Sequence, residues 1–512
     1  MSPARVESPP ITLDRLLAGL IEAPPRPVPA VPVGGLSHDS RAMAPGYLFC
    51  ALAGSRSHGM RHAAEAVAAG ACAILFDPAD GGAGLAADMH AVPCWAVDFL
   101  DQRLGYLADR YFGEPTRDLE AIGITGTNGK TSCSHFLVHA LMQEWPAAVV
   151  GTLGWGEPGA LNSTRHTTPD AIEVHALLAR LVRQGIATVA MEASSHGLVQ
   201  GRLNGVRFKG GLFTNLSRDH LDYHGDMQAY LEAKLRLVGW PGLEYLVFNL
   251  DDSSAPAILA RAAPAVRRIG FTRGRSMAPA GCEMLSAEGV AQTKDGLSFL
   301  ALYGGEAARV SAPLFGDFNV ENLLGVLGLL LGRGMGLDVA AKRLSRVRAV
   351  PGRMERFSAE GGPSVVVDYA HTPDALDKTL RALRTHCAGS LWLVFGCGGD
   401  RDRGKRPLMG AIASRQADRV IVTDDNPRHE EGDAIVEAIL AGCEPTEAGV
   451  SVLRDRHLAI QTAIEQAGPN DVVLVAGKGH EDYQDIGGVK YPFSDRAIVR
   501  EALAARGGRV CV

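Results

Sequence analysis

The stretch that most limits what this chain can fold into is Ala121-Ile122-Gly123-Ile124-Thr125-Gly126-Thr127-Asn128-Gly129-Lys130-Thr131. An apolar run enters it, glycines punctuate it, and Lys130-Thr131 opens a helical pattern through Phe136, Leu137 and Leu141. Strand, loop and helix N-terminus in that order cradle an anion. Backbone N–H groups converge there, Lys130 supplies a point charge, and the Thr131 hydroxyl can hold Mg²⁺. The pattern predicts a nucleoside-triphosphate phosphate loop, with one irregularity. Ile124 stands five places before Gly129, where the usual spacing has glycine. The alternative is an ordinary Gly-rich turn between strand and helix, and Gly-Lys-Thr directly after a strand weighs against it.

Such a loop needs a sheet around it, and 512 residues exceed what one core holds, so about three domains are expected. Boundaries are expected at the turn Gly113-Glu114-Pro115-Thr116 and near Val350-Pro351-Gly352-Arg353, giving 1–113, 114–350 and 351–512. With 46% hydrophobic and 21% charged residues and a net charge of −6, the composition is that of a soluble globular protein. It argues against a broad nucleic-acid or membrane footprint. The apolar stretch Leu323–Leu331 is too short to span a bilayer and is interrupted by Gly325 and Gly328. The N-terminus lacks a charged-then-apolar signal pattern, and nine cysteines show no C-x-x-C spacing. A cytoplasmic chain with neither a zinc site nor a disulfide framework is the expectation.

In the first region, Leu13, Leu16, Leu17 and Leu20 share a helical face over 12–21, with Thr12 available as a cap. A proline-rich link, Pro24 to Pro32, leads to Asp39-Ser40-Arg41, a polar cluster at an expected strand end. Short strands (Tyr47–Leu52, Ala73–Phe76, Cys94–Val97) alternate with a helix near 60–69, which makes a small α/β unit.

The second region continues through Thr167-Thr168-Pro169-Asp170, the start of helix 170–184. Strand Ala187–Met191 then ends in Glu192-Ala193-Ser194-Ser195-His196-Gly197. An acid at the carboxyl end of a buried strand, in the same domain as a phosphate loop, suits a second Mg²⁺ contact. A helix-capping Glu is the alternative. Strand Gly211–Phe213 delivers Thr214 to His224, where Asp219, His220, Asp222 and His224 crowd six positions. That density is expensive to hold without ligands. Lys234 follows on helix 226–238, by default a solvated helix lysine. Gly316 to Asn322 leads into an apolar helix 322–332.

Beyond residue 350, strands Val365–Val367, Leu391–Phe395, Arg419–Val422 and Val472–Val475 alternate with helices, the signature of a doubly wound parallel sheet. Each strand ends in polar residues: Asp368-Tyr369-Ala370-His371, Gly398-Gly399-Asp400-Arg401, Asp424 to Arg428, and Gly477-Lys478-Gly479-His480-Glu481. Ligands of open α/β sheets bind outside the carboxyl ends of strands, so these endings define a site. Ordinary turns explain the glycines but not Arg401, Arg403 and Arg428 beside acids.

Taken in order, these segments resemble the Mur ligase family over nearly the whole chain. Thr125 to Thr131 is similar to that family's ATP loop, irregular spacing included. Glu192 to Leu198, Asn215 to Gly225, Asp368 to Pro373 and Gly477 to Glu481 match further segments. The resemblance implies three α/β domains: an N-terminal one for a uridine-nucleotide substrate, a central P-loop-type ATPase domain and a C-terminal Rossmann-like domain for an amino acid. It implies that Gly126, Thr127, Asn128, Gly129, Lys130 and Thr131 bind ATP, with Asn319, Asn322, Arg353 and Asp368. Thr131, Glu192 and His220 would hold two Mg²⁺ ions, and Lys234 matches a lysine that the family carbamylates with CO₂. A carbamate turns a repelling ammonium into an anionic oxygen ligand, which suits magnesium. Lys130, Lys234 and His220 would be the catalytic set. Ser40 would touch the uridine nucleotide, with Thr167, Thr168, Ser194, Gln200 and Arg202 along the muramoyl-dipeptide. One departure is His166, where the family often has Asn; His can donate a similar hydrogen bond.

Asp425-Asn426-Pro427-Arg428 resembles the signature of the branch that joins meso-diaminopimelate to UDP-N-acetylmuramoyl-L-alanyl-D-glutamate. Diaminopimelate carries a second carboxylate that lysine lacks, and the Arg428 fork can grip it bidentately. Glu481 and the Gly477 backbone would take the distal ammonium, and Arg401 a carboxylate. Lysine would leave Arg428 buried and unpaired, which such sites reject strongly. The implied reaction is an ATP-dependent amide ligation through an acyl phosphate, by a monomer with small-molecule substrates only. The same ligation with another diamino acid such as L-lysine, a folylpolyglutamate synthase-like ligase, and a non-catalytic nucleotide sensor are the alternatives. Lys130, Glu192, His220 and Lys234 together weigh against the sensor.

Overall fold

The structure is a computed structural model that describes residues 11–21, 27–54, 57–142, 144–274, 277–293, 296–444, 449–506 and 510. Pro24, Pro25 and Arg26 of the proline-rich link, and Cys511, lie outside the described residues. The chain divides into two compact units. The first holds Met1–Thr125, Leu141–Gly211 and Ala233–Glu244; the second holds Gly126–Ala140, Leu212–Glu232 and Tyr245–Val512.

In the first unit, four parallel strands stand in sequence order: Gly35–Ser37, Tyr47–Ala51, Ala73–Phe76 and Cys94–Ala96. Their apolar side chains, with Leu13, Leu16 and Leu17, form a core closed by helix Leu100–Tyr111. The first helix is shorter than its periodicity suggested, Leu13–Leu17, and the Thr12 side chain makes no cap. The same unit carries strand Thr188–Glu192 between Glu120–Thr125 and Ala147–Gly151, all parallel, with Ile124 beside Glu192 in register. These strands are buried on both faces, which is why they read as continuous apolar runs. Helix Ala171–Arg183 begins at Asp170, whose carboxylate caps the N–H of Glu173 at 3.0 Å.

In the second unit, parallel strands Tyr245–Asn249, Arg267–Thr272 and Glu283–Thr293 continue into an antiparallel meander through Gly296–Tyr303 and Glu306–Ala312. Helix Asn319–Gly332 packs closely on this layer. A Cβ on Gly328 would stand 2.6 Å from Val247 Cγ1, and one on Gly332 would strike the Tyr245 ring. Gly328 inside the apolar stretch and Gly332 just beyond it therefore let helix and sheet approach. Gly328→Ala gains about 1 kcal/mol of helix propensity but overpacks a β-branched, fully buried neighbour for about 1–3 kcal/mol. A lowered melting temperature is expected; an unchanged or raised one would show that Val247 can give way.

The last sheet has six strands in the order Glu355–Ser358, Ser364–Asp368, Val472–Ala476, Leu391–Phe395, Arg419–Val422, Gly449–Val452. All pairs are parallel except the first, an antiparallel edge. Register sets Asp368 against Ala476, Val394 against Val475 and Phe395 against Val422. The four polar strand endings thus share one edge of the sheet. A hairpin, Tyr483–Ile486 with Val489–Pro492, follows the last of them. Among the described residues no helix is long and apolar enough to cross a membrane, and the eight described cysteines are free.

Candidate active site

Gly126 and Gly129 have φ of 141° and 85°, a region closed to most side chains. A Cβ on Gly126 would collide with Thr214 Oγ1, and one on Gly129 would lie 2.5 Å from Asn322 Oδ1. The segment after strand Phe208–Phe213 clasps the loop from outside. Thr127 N–H donates to Asn215 O (2.9 Å), Asn128 N–H to Asn215 Oδ1 (2.9 Å), and Thr214 Oγ1 to Asn128 O (2.6 Å). Ser217 N–H donates to Thr127 Oγ1 at 3.0 Å. Lys130 Nζ donates to the carbonyls of Gly126 (2.8 Å) and Thr127 (2.9 Å), so its charge lies over the loop. Asn322 Nδ2 donates to Asn319 Oδ1 at 2.9 Å, which orients the amide facing Gly129.

Arg353 Nη2 donates to Thr131 Oγ1 at 3.3 Å, and its guanidinium lies 4.2 Å over the Tyr369 ring. It makes no ion pair among the described residues. Burial, and then the charge of Arg353, push His480 down to about 3, so this imidazole is neutral. His135, on the phosphate-loop helix, is pushed down to about 3 by burial first and then by His139 and Arg353. A guanidinium without a direct ion pair, set among neutral rings, is suited to an anion. Asp368 is fully buried and works differently from a direct ligand. Its oxygens accept the N–H groups of Met354 (2.7 Å) and Ala370 (2.9 Å), which fixes the turn that presents Arg353.

His220, at φ 54°, places Nε2 3.3 Å from Asp219. Asp219 also meets His371 at 3.6 Å and Lys405 at 3.7 Å. Burial alone would raise its carboxyl; the hydrogen bond from His371 and the Lys405 charge hold it well below the usual carboxylate range. Beside it, Arg218 pairs with Asp402 at 2.9 Å and 3.1 Å, and Asn128 Nδ2 donates to Asp374 at 3.1 Å. The loop and the His220 segment are thereby tied to the last sheet's loops. Asp219, Lys405 and Asp402 are not among the residues expected in the site. The crowding of charges around residue 220 was the available signal.

In the first unit, Glu192 closes its strand and is buried. Thr152 holds both its oxygens, N–H to Oε1 at 2.9 Å and Oγ1 to Oε2 at 3.0 Å. Thr152 in turn meets Thr167 at 3.0 Å. Thr168 Oγ1 donates to Glu192 O (2.7 Å) and lies 2.9 Å from Ser194 Oγ, within hydrogen-bond distance. Arg202 donates to Thr168 O at 2.7 Å and to Gln200 Oε1 at 2.6 Å. Five expected substrate residues, Thr167, Thr168, Ser194, Gln200 and Arg202, therefore form one polar chain around Glu192. Ser40 stands apart from that chain, on a single 3₁₀ turn after Gly35–Ser37, donating to Glu65 at 2.8 Å. Lys234 lies on helix Met227–Val238 and is 1% exposed, not solvated.

At the edge of the last sheet, the expected amine-side residues converge. A Cβ on Gly477 would lie 2.5 Å from Asp425 Oδ2, and one on Gly398 would lie 2.8 Å from Arg428 Nη1 and 3.7 Å from Arg401 Cγ. Asn426 Nδ2 donates to Glu481 Oε2 at 2.9 Å, and Pro427 O packs on Gly399. Arg428 departs from the expectation. It is half-buried, and Nη1 already donates to Gly399 O at 2.7 Å, so a ligand without a second carboxylate would not strand it. Arg401 is exposed, with Nη1 on Asp400 O. Arg403 and the buried Arg406 pair with Glu430, which organises the loop between them.

Comparison with known proteins identifies the family. The Mur ligase middle domain matches residues 124–330, the Mur ligase glutamate ligase domain 352–479, and the Mur ligase family catalytic domain 32–93. A protein of Alkalilimnicola ehrlichii named UDP-N-acetylmuramoyl-L-alanyl-D-glutamate–2,6-diaminopimelate ligase is 50% identical, over 93% of this chain and 96% of that protein. One of the same name from Xanthomonas campestris is 48% identical, over 93% and 95%. A solved structure of a ligase with that name is 36% identical, with a TM-score of 0.69, covering 98% of this chain and all of that one. The fold is that of the ATP-dependent Mur ligases, with three α/β domains. The chain belongs to the Mur ligase family.

Proposed function

We propose that this chain joins meso-diaminopimelate to the γ-carboxylate of the D-glutamyl residue of UDP-N-acetylmuramoyl-L-alanyl-D-glutamate, with ATP hydrolysed to ADP and phosphate, in peptidoglycan precursor synthesis. The observation that carries it is the tie between two half-sites. The phosphate loop reaches the last sheet through Arg353–Thr131 and Asn128–Asp374, and that sheet's edge offers Arg428 and Arg401 for carboxylates and Glu481 for an ammonium. We place the domains at 1–113, 114–350 and 351–512, and take the protein as a cytoplasmic monomer whose partners are its small-molecule substrates.

Loop N–H groups and Lys130 hold the ATP phosphates, with Arg353 on the same anion and Asn319 and Asn322 behind Gly129. Thr167, Thr168, Ser194, Gln200 and Arg202 hold the muramoyl-dipeptide, and Ser40 the uridine nucleotide. The glutamyl carboxylate takes the γ-phosphoryl group and ADP leaves. The amine of diaminopimelate attacks the acyl phosphate, and the tetrahedral intermediate expels phosphate to leave the amide. Lys130 stabilises charge on the transferring group. To Mg²⁺ we assign Thr131, Glu192, His220 and carbamylated Lys234, oxygen donors apart from the His220 nitrogen, and Thr152 fixes the Glu192 carboxylate. Magnesium, when bound, neutralises phosphate charge. Carbamylation of the buried Lys234 amine by CO₂ would supply the anionic oxygen.

The test is ADP release by the purified protein. Release is expected only with both muramoyl-dipeptide and diaminopimelate present, with a product heavier by one diaminopimelate less water. Release with L-lysine or a folate in their place would redirect the assignment, and none with either would overturn it. Lys234→Ala is expected to lower the rate about 100-fold, with partial recovery on adding short carboxylic acids. An undiminished rate would remove Lys234 from the site.

A further inference from the structure

Lys478 lies between two glycines with φ of 114° and 53°, and its side chain is fully buried. A lysine in that position would ordinarily reach solvent; this one turns inward. Nζ donates to Asn426 Oδ1 and to Glu481 Oε2, each at 2.9 Å. Asn426 Nδ2 donates to the same Oε2, also at 2.9 Å. One oxygen of Glu481 is therefore held twice, while Oε1 accepts no hydrogen bond among the described residues. Asn426 Oδ1 accepts a second N–H, from Asp485 at 2.9 Å, and Asp485 O accepts the Arg428 N–H at 2.9 Å. A single ammonium thus fixes the acid on one side of the pocket and, through Asn426 and Asp485, the arginine on the other.

A bystander ion pair is the competing account. Buried pairs contribute little net stability, and apolar substitutes of similar volume often serve as well. Here both partners of Lys478 belong to the amine-side pocket, and the Glu481 side chain is 16% exposed at its mouth. A chain bearing an ammonium and a carboxylate at opposite ends is recognised by the spacing of its two receptors. Whatever fixes that spacing selects chain length and charge together.

We propose that Lys478 is a specificity-determining positioning residue. By clamping Glu481 Oε2 and Asn426 it aims Oε1 at the distal ammonium of the amino-acid substrate and sets its distance from Arg428. The inference rests on the diaminopimelate reading of that pocket. It is tested by Lys478→Met, Glu481→Gln and the double variant, measuring KM for diaminopimelate, KM for ATP, kcat and melting temperature. Lys478→Met is expected to raise KM for diaminopimelate about tenfold or more, as loss of a charge-assisted contact does, with KM for ATP within about twofold of wild type. The double variant is expected to lose less than the two single variants summed, because Lys478 acts in large part through Glu481. Additive losses, or an unchanged KM in Lys478→Met, would overturn the proposal. Should Lys478→Met not fold, Lys478→Gln keeps a donor in the same space; a severalfold rise in KM is expected, and no rise would overturn it. Wild-type protein without diaminopimelate-dependent ADP release would overturn the underlying reading instead.

Discussion

Lys130→Ala is expected to lower diaminopimelate-dependent ADP release by about 10³-fold or more while leaving the melting temperature near wild type. The side chain bonds the carbonyls of Gly126 and Thr127 in its own loop, at 2.8 Å and 2.9 Å, and the loop is held by other contacts as well. Asn215 takes the N–H of Asn128, Thr214 the carbonyl of Asn128, and Thr127 the N–H of Ser217. Removing the ammonium therefore subtracts charge from the phosphate site rather than support from the fold. The charge matters most when the γ-phosphoryl group is in transit, so the loss falls on kcat more than on KM for ATP. ADP release and thermal unfolding measured on the same preparation decide it. Activity within tenfold of wild type would sink the assignment of the loop.

How much of this was legible beforehand follows from burial. Strand Leu391–Phe395 has the bounds its apolar run suggested, because a parallel strand covered on both faces must be apolar throughout, and Arg419–Val422 follows the same rule after its exposed first residue. The meander Glu283–Ala312 and the hairpin Tyr483–Pro492 were not foreseen. Their outer residues face water, as the alternation in Glu306–Ala312 shows, and Glu283–Thr293 carries too few apolar residues to stand out. The phosphate loop, Glu192 and the polar strand endings were visible because chemistry there is concentrated in consecutive residues. Asp219 was visible only as part of a crowd. Its partners His371 and Lys405 come from distant segments, and no local spacing announces them. Thr152 and Lys478 escaped for the same reason: each serves a site residue brought to it by folding. Asp368 was recognised as a nucleotide contact; its hold on the backbone N–H groups that shape the Arg353 turn was not.

Arg428→Ala is expected to cut kcat/KM for diaminopimelate by about 10²–10³-fold, leave KM for ATP unchanged and collapse the preference over L-lysine. The backbone of Arg428 is held at φ 53° by its N–H on Asp485 O (2.9 Å) and by Gly487 N–H on its own carbonyl (2.7 Å). The loop conformation thus depends on main-chain contacts that alanine retains, although a Cβ at positive φ is present in both. What alanine removes is the guanidinium, of which Nη1 is fixed on Gly399 O while the rest of the fork stays available to a carboxylate. Full burial would have implied discrimination of about 10⁴–10⁵, since lysine would strand a desolvated charge. Half-burial and a carbonyl partner lower that penalty, which sets the smaller figure. Arg428→Lys separates geometry from charge: it keeps the cation and loses the fork, so about tenfold of the loss should return and no more. Both amino acids are assayed by ADP release with the same muramoyl-dipeptide. If Arg428→Ala uses diaminopimelate as well as the wild type does, the second carboxylate is read elsewhere, with Arg401 next in line on the other flank of Gly398.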